Sequence, residues 1–188
     1  MLANRLIRTK CFRRIELQLL MRLTARALGT KPRRLWSLSA DQALLAYAEF
    51  TRDHLRQGAD DRMLRRMNDE AYRMGCFLRR FFRPKSQSDT ERLIAALYQN
   101  IGIDVKAHIP GQICFRSCLF SQYYTPAICL AASALDNGII RGLSGCGHLT
   151  FRQRITEGHP CCLATTGGSK PYTTNTVPNS IESTSPQS

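Results

Sequence analysis

The chain has 188 residues, 43% of them hydrophobic, and a formal net charge of +13, which suits one hydrophobic core with a helical appendage rather than several domains. No apolar run approaches the roughly 18 residues a bilayer span requires, and MLANRLIRTKCFRR scatters charges through its apolar residues, which excludes a secretory signal. Eight cysteines without an export signal read as reduced thiols, so the expected location is cytoplasmic; the Arg-rich segment 1–35, whose only acid is Glu16, leaves a mitochondrial presequence as the weaker alternative.

Residues 12–28 carry Ile15, Leu19, Leu23 and Ala27 at four-residue steps, with Leu20 and Leu28 beside them, and predict a helix closed at Gly29. Ser39 with Gln42 is a capping box. It opens a helix over about 40–57 that buries Ala43, Leu44, Tyr47, Phe50 and His54 or Leu55. A third helix is expected from Asp60-Asp61 to about Phe82, with Met63, Met67, Ala71, Met74, Leu78 and Phe81 inward and Pro84 as its stop. Ser88–Glu91 reads as a capping box before a short helix bearing Leu93, Ile94, Leu97 and Tyr98. After Gly102 the period becomes two. Ile103-Asp104-Val105 and a Pro110-Gly111 turn precede a strand with Cys114, Arg116, Cys118 and Phe120 on one face and Ile113, Phe115 and Leu119 on the other. Thr125-Pro126 starts a helix to about Arg141, with Ile128, Ala132, Leu135 and Ile139 inward, and Gly142, Gly145 and Gly147 predict a flexible loop after it. His148–Thr156 alternates again: His148, Thr150, Arg152, Arg154 and Thr156 face one way, Leu149, Phe151 and Ile155 the other. Glu157–Pro160 is a turn, Cys161–Ala164 begins the last strand, and the polar stretch from Thr165 predicts disorder.

The fold class expected is therefore α+β: N-terminal helices packed with a small C-terminal antiparallel sheet and one helix. Residues 1–102 form the helical region, 103–164 a Cys-rich α+β region of the same compact domain, and 165–188 a disordered tail.

Six of the eight cysteines lie between Ile113 and Cys162. Cys114 and Cys118, four apart on one strand face, would lie roughly 13 Å apart at ~3.3 Å per residue, too far to share a metal. Arg116 between them suits a carboxylate. Cys129, in the first turn of the Thr125-capped helix, is expected to gain thiolate character from the helix N-terminus. Cys146 and His148 have the spacing of two ligands or of a nucleophile and its base. Glu157 and His159 offer acid–base groups near neutral pH. Cys161-Cys162 points two thiols to opposite faces. His54 and His108 read as structural. There is no phosphate loop, no dinucleotide glycine pattern, no HExxH and no paired C-x2-C.

The closing FRQRITEGHPCCLA, with Cys129 and Asp136 on the preceding helix, resembles the L-2-amino-thiazoline-4-carboxylate hydrolase-like family, and is also similar to the end of 4-vinyl-reductase-type ligand-binding domains. The likeness covers about 103–164. His159-Pro160 stands where the hydrolase-like turn is commonly acidic, and the Asp-Phe after the cysteine is missing. The resemblance implies hydrolytic opening of a cyclic amidine or related small ring. Cys114 or Cys129 would be the nucleophile, His148 or His159 would transfer protons, and Arg116 or Arg152 would hold a carboxylate, with Asp136 in the substrate site and no cofactor.

The expected function is thus a small-molecule-binding protein with Cys-dependent hydrolase activity. One alternative is a metal- or redox-responsive module holding Zn or Fe through Cys146, His148, Cys161 and a fourth thiol. The other is a nucleic-acid-associated protein acting through the basic helices, since Arg and Lys concentrate in 5–34 and 62–85.

Overall fold

The computed structural model describes residues 9–109, 112–145 and 148–167. Helices α1 (Lys10–Ala27), α2 (Ala40–Leu55), α3 (Asp61–Phe82) and α4 (Gln87–Asn100) lead into strands β1 (Ile103–Ile109) and β2 (Gln112–Cys118). A 3-10 turn (Leu119–Gln122), helix α5 (Pro126–Ser144), β3 (His148–Gln153), a second 3-10 turn (Ile155–Glu157) and β4 (Cys162–Gly167) follow. The strands form one antiparallel sheet in the order β1-β2-β4-β3, so the last strand inserts between the second and third. The fold is α+β, as the change of period at Gly102 indicates.

Side chains set most helix starts. Ser39 and Gln42 exchange both bonds of a capping box; the hydroxyl of Thr9, the carboxylate of Asp60 and the hydroxyl of Thr125 accept the amides of Phe12, Met63 and Ile128. At α4 the cap is Ser86, not Ser88: its hydroxyl accepts the Asp89 amide, so the helix begins at Gln87. The α5 helix runs past Arg141 to Ser144 and ends at Gly145. Gly142 therefore lies inside the helix rather than in a flexible loop, and the reason is packing. Gly138 and Gly142 press against α3 at Asn68, Ala71, Tyr72 and Gly75, and a methyl on Gly142 would meet the Tyr72 carbonyl oxygen at 2.5 Å. Small residues on both helices let α3 and α5 approach backbone to backbone.

Two helical stripes differ from expectation. On α1 the core side is Leu17, Leu20, Met21, Leu23 and Ala27 together with Glu16, Gln18 and Thr24, whereas Ile15 is 38% exposed. The polar members disguise the stripe because each is hydrogen-bonded indoors: Glu16 to Asn100, Gln18 to the Leu35 amide and Thr24 to Tyr47. On α3, Phe81 is 58% exposed, having drifted at 100° per residue to the edge of the Met67–Leu78 line.

Two β-bulges reorganise the Cys-rich region. Between β1 and β2 the register steps from Asp104↔Ser117 to Val105↔Phe115, passing over Arg116; between β3 and β4 it steps from Phe151↔Ala164 to Gln153↔Leu163, passing over Arg152. Each extra residue inverts the alternation beyond it. Cys118 thus pairs with Ile103 and shares the helix-covered face with Val105 and Phe115, while Cys114 pairs with Lys106 on the opposite face. The expected common face for Cys114 and Cys118 does not exist, and Phe120 has left the strand for the 3-10 turn. Strand β3 ends at Gln153, so the alternation expected to Thr156 stops there. Strand β4 continues to Gly167, which places Thr165 in the sheet between Gln112 and Thr150 rather than in a disordered tail.

Candidate functional site: a buried cavity with two carboxyl groups

Where helices α1 to α5 meet the start of β1 and the first 3-10 turn, a cavity of about 90 Å³ remains. On the same measure a water needs roughly 10–15 Å³, so there is room for several waters or a small organic group. The walls are mostly apolar, built from Leu20, Met74, Leu97, Ile103, Leu135 and Ile139 among others. Seven polar side chains reach it: Glu16, Tyr47, Tyr98, Cys118, Tyr124, Cys129 and Asp136.

The two carboxyl groups are its unusual members. Glu16 is 4% exposed, and its Oε2 accepts a 2.9 Å hydrogen bond from Asn100 Nδ2. Burial pushes its pKa up to about 8 against the opposing effects of the Asn100 bond and the Arg13 charge. Arg13 is occupied elsewhere: its Nε donates to the Asn100 carbonyl and its Nη1 pairs with Asp41. Asp136 Oδ1 accepts a 2.8 Å hydrogen bond from the Tyr98 hydroxyl. Burial raises its pKa to about 6, opposed by the Tyr98 bond and by the charge of Arg154. Tyr98 and Tyr124 are held well above the ordinary tyrosine value, chiefly by burial. A largely apolar cavity carrying two acids whose pKa values burial lifts to about 6 and about 8 has the composition of a ligand site.

The thiols divide by face. Cys118 and Cys129 line the cavity, and burial raises both, Cys118 to about 12. Cys129 does sit in the first turn of α5, but burial raises its pKa against the lowering effects of Thr156 and Arg154, the opposite direction to that expected from a helix N-terminus. Cys162, also on the helix side, accepts the Ile155 amide at 3.2 Å and is likewise raised by burial. Cys114 lies on the outer face near Cys161; burial and that neighbour raise it. Cys161 accepts from Gln153 Nε2 at its carbonyl and its sulfur. Every cysteine among the described residues is free.

Of the described residues expected at the site, the structure unites Cys129 and Asp136 on the cavity and leaves the others outside it. Arg116 is exposed on its bulge, 2.7 Å from Asp104, which supplies its anion. Arg152 is exposed on the other bulge, and His159 is exposed in its turn. His148 precedes β3's buried Leu149 and shares the outer face with Thr150. Neither histidine hydrogen-bonds a thiol among the described residues. Cys146 lies outside them, and within them no three metal-capable side chains gather.

Sequence reasoning missed Glu16 and Tyr98 as cavity-lining residues, and Arg154 as the charge that lowers the Asp136 pKa. Glu16 carried a readable signal, an acid on the same side of the helix as Leu20 and Leu23. Arg154 is turned inward by the Arg152 bulge: its side chain is 11% exposed, its guanidinium stacks 4.9 Å from the Phe151 ring centroid, and its Nη1 reaches Glu157 at 3.5 Å. Its Nε is buried without a hydrogen-bond partner, and the nearby Thr156 hydroxyl lies against the Cys129 thiol, whose pKa it lowers. No protein-family model matches the sequence, and no curated protein matches it.

Proposed function

We propose that this chain binds a small molecule in the cavity between its helices and its sheet. The observation that carries the reading is the placement of two buried carboxyl groups, Glu16 and Asp136, on one apolar cavity. Such a site favours a ligand with a compact apolar body and a basic, hydrogen-bond-donating head, because a cationic donor restores the ionised form that burial suppresses. An amidine fits this chemistry, which keeps the likeness to the L-2-amino-thiazoline-4-carboxylate hydrolase-like family in view. For hydrolysis, Cys129 is the thiol in the right place. Its raised pKa, and the lack of a histidine beside it among the described residues, make binding the better supported activity.

The test is thermal denaturation with small cyclic amidines and benzamidine, with benzoate as the control. At a hundred times Kd a ligand stabilises by ~2.7 kcal/mol, a rise in Tm of roughly 5–11 °C for a domain of this size. Ala132→Leu, which fills the cavity from α5, should abolish the rise, and Asp136→Asn should reduce it. If no amidine or apolar amine shifts the wild type, or if Ala132→Leu responds equally, the proposal is wrong. Ring opening followed by mass spectrometry then separates binder from enzyme: turnover lost in Cys129→Ala with binding retained establishes the hydrolase.

A further inference from the structure

The C-terminal half of α3 carries a surface that the cavity does not use. Phe77 and Phe81 are 56% and 58% exposed, and their rings stack with centroids 6.1 Å apart. The aromatic row continues inward through Phe82, 4.9 Å from Phe81, to Phe12 on α1, 5.8 Å from Phe82. Four phenylalanines therefore run from solvent to the α1–α3 seam. The sequence beside them is basic: from Tyr72 to Lys85 the chain contains Arg73, Arg79, Arg80, Arg83 and Lys85 and no acid, the nearest being Glu70 and Asp89 on either side. Arg73 pairs with Glu70 at 2.8 Å, while Arg80 and Arg83 with Arg79 border a broad shallow depression beside Cys76.

Two adjacent, exposed phenylalanines cost free energy in water and are uncommon on a surface facing only solvent. The like charges around them oppose a second copy of this chain at the same face, because pairing would bring the arginines together. They favour an anionic partner. Phenylalanine provides no hydrogen-bonding group to read a base edge, and the face is a convex helix rather than a groove or a sheet platform. Apolar rings ringed by arginines are the composition of a helix lying in a membrane interface, the rings below the headgroups and the guanidinium groups on the phosphates. We propose that this face docks on an anionic lipid surface, with Phe77 and Phe81 entering the interfacial layer and Arg73, Arg80 and Arg83 contacting lipid phosphates. No described helix is long and apolar enough to cross a membrane, so the association is peripheral.

The experiment is co-sedimentation of the full chain with vesicles of phosphatidylcholine alone and of phosphatidylcholine with 30% phosphatidylserine. The wild type should partition onto the anionic vesicles and not the neutral ones. An arginine near the surface contributes about fivefold, so R73Q/R80Q should weaken partitioning roughly 25-fold. The discriminating variant is F77S/F81S, which keeps the net charge of +13. It should lose at least about tenfold, because binding scales with buried apolar area as well as charge, and circular dichroism should show an unchanged fold. If F77S/F81S binds as the wild type does, general basicity explains the attraction and the proposal fails. It fails equally if an RNA oligonucleotide binds through Phe77 and Phe81 while vesicles do not, or if those residues hold a dimer in solution.

Discussion

Replacing Glu16 by Gln should stabilise the protein increasingly as pH rises. In the unfolded chain Glu16 ionises near 4.5; in the fold burial holds it protonated to about 8. Between these values the native state keeps a proton that the unfolded state has released, so its contribution to stability falls with rising pH and levels off above 8. At 1.36 kcal/mol per pH unit the loss between pH 5 and pH 8 is about 3–4 kcal/mol. Gln cannot titrate, and its amide oxygen can still accept from Asn100 Nδ2. Asp136 also destabilises as pH rises, but over a lower window, from its ordinary 3.8 to about 6, and it is common to both proteins. Urea denaturation of wild type and Glu16→Gln at pH 5 and pH 8 isolates the Glu16 share as the change in their difference. The variant's advantage should grow by about 3–4 kcal/mol, or roughly 6–16 °C in Tm. Parallel pH curves would mean that Glu16 ionises alike in both states and that its carboxylate is not desolvated.

Tyr98→Phe removes the hydrogen bond that eases Asp136 ionisation, so the Asp136 pKa should rise further; the loss of stability should be about 1.5–3 kcal/mol at pH 8, where the carboxylate is charged, and smaller at pH 5. Gly138→Ala would drive a methyl into α3 backbone and should cost about 2–3 kcal/mol by denaturant midpoint, whereas Gly29→Ala, with open space around the position, should show only the modest strain of its left-handed backbone. In thiol mapping by iodoacetamide and mass spectrometry at pH 7.5, the exposed Cys11 should react first and Cys118 should remain unlabelled until the protein unfolds. Early modification of Cys118 would show that the cavity opens to solvent readily.

The helices were legible because their determinants are local. Ser39-Gln42, Asp60 and Thr125-Pro126 announce helix starts by chemistry confined to four residues, and the structure uses them so. The α4 start lies two residues before the Ser88 capping box because Ser86 and Ser88 both offer a hydroxyl, and only the backbone decides which one caps. The cysteine face was not legible. Alternation places Cys114 with Cys118 and Arg152 with Arg154, and a single bulged residue in each strand reverses the second member of the pair. A bulge answers to twist and to what the neighbouring strand must cover, and neither is written in the strand's own residues. The site inherits this limit: Cys129 and Asp136 could be placed by helix periodicity, but Arg154 could not.

A ligand site would give the cavity's two carboxyl groups a purpose that packing alone does not. A buried acid at the α1–α4 seam adds nothing that a glutamine could not, since the Asn100 bond needs only an oxygen. At neutral pH it carries the cost of staying protonated, about 3 kcal/mol for Glu16, a large fraction of a typical domain's net stability. Asp136 adds a similar cost above pH 6, softened by Tyr98. Two such groups on one small cavity, in a chain whose other acids can lie at the surface, concentrate instability where a donor-bearing ligand would relieve it. The relief has a direction that can be measured. A cationic ligand should bind with proton release from Glu16 at pH 7, and buffers of different ionisation enthalpy should report that release by calorimetry. A ligand that binds with no proton exchange would place its polar head away from Glu16 and would return that acid to a purely structural role.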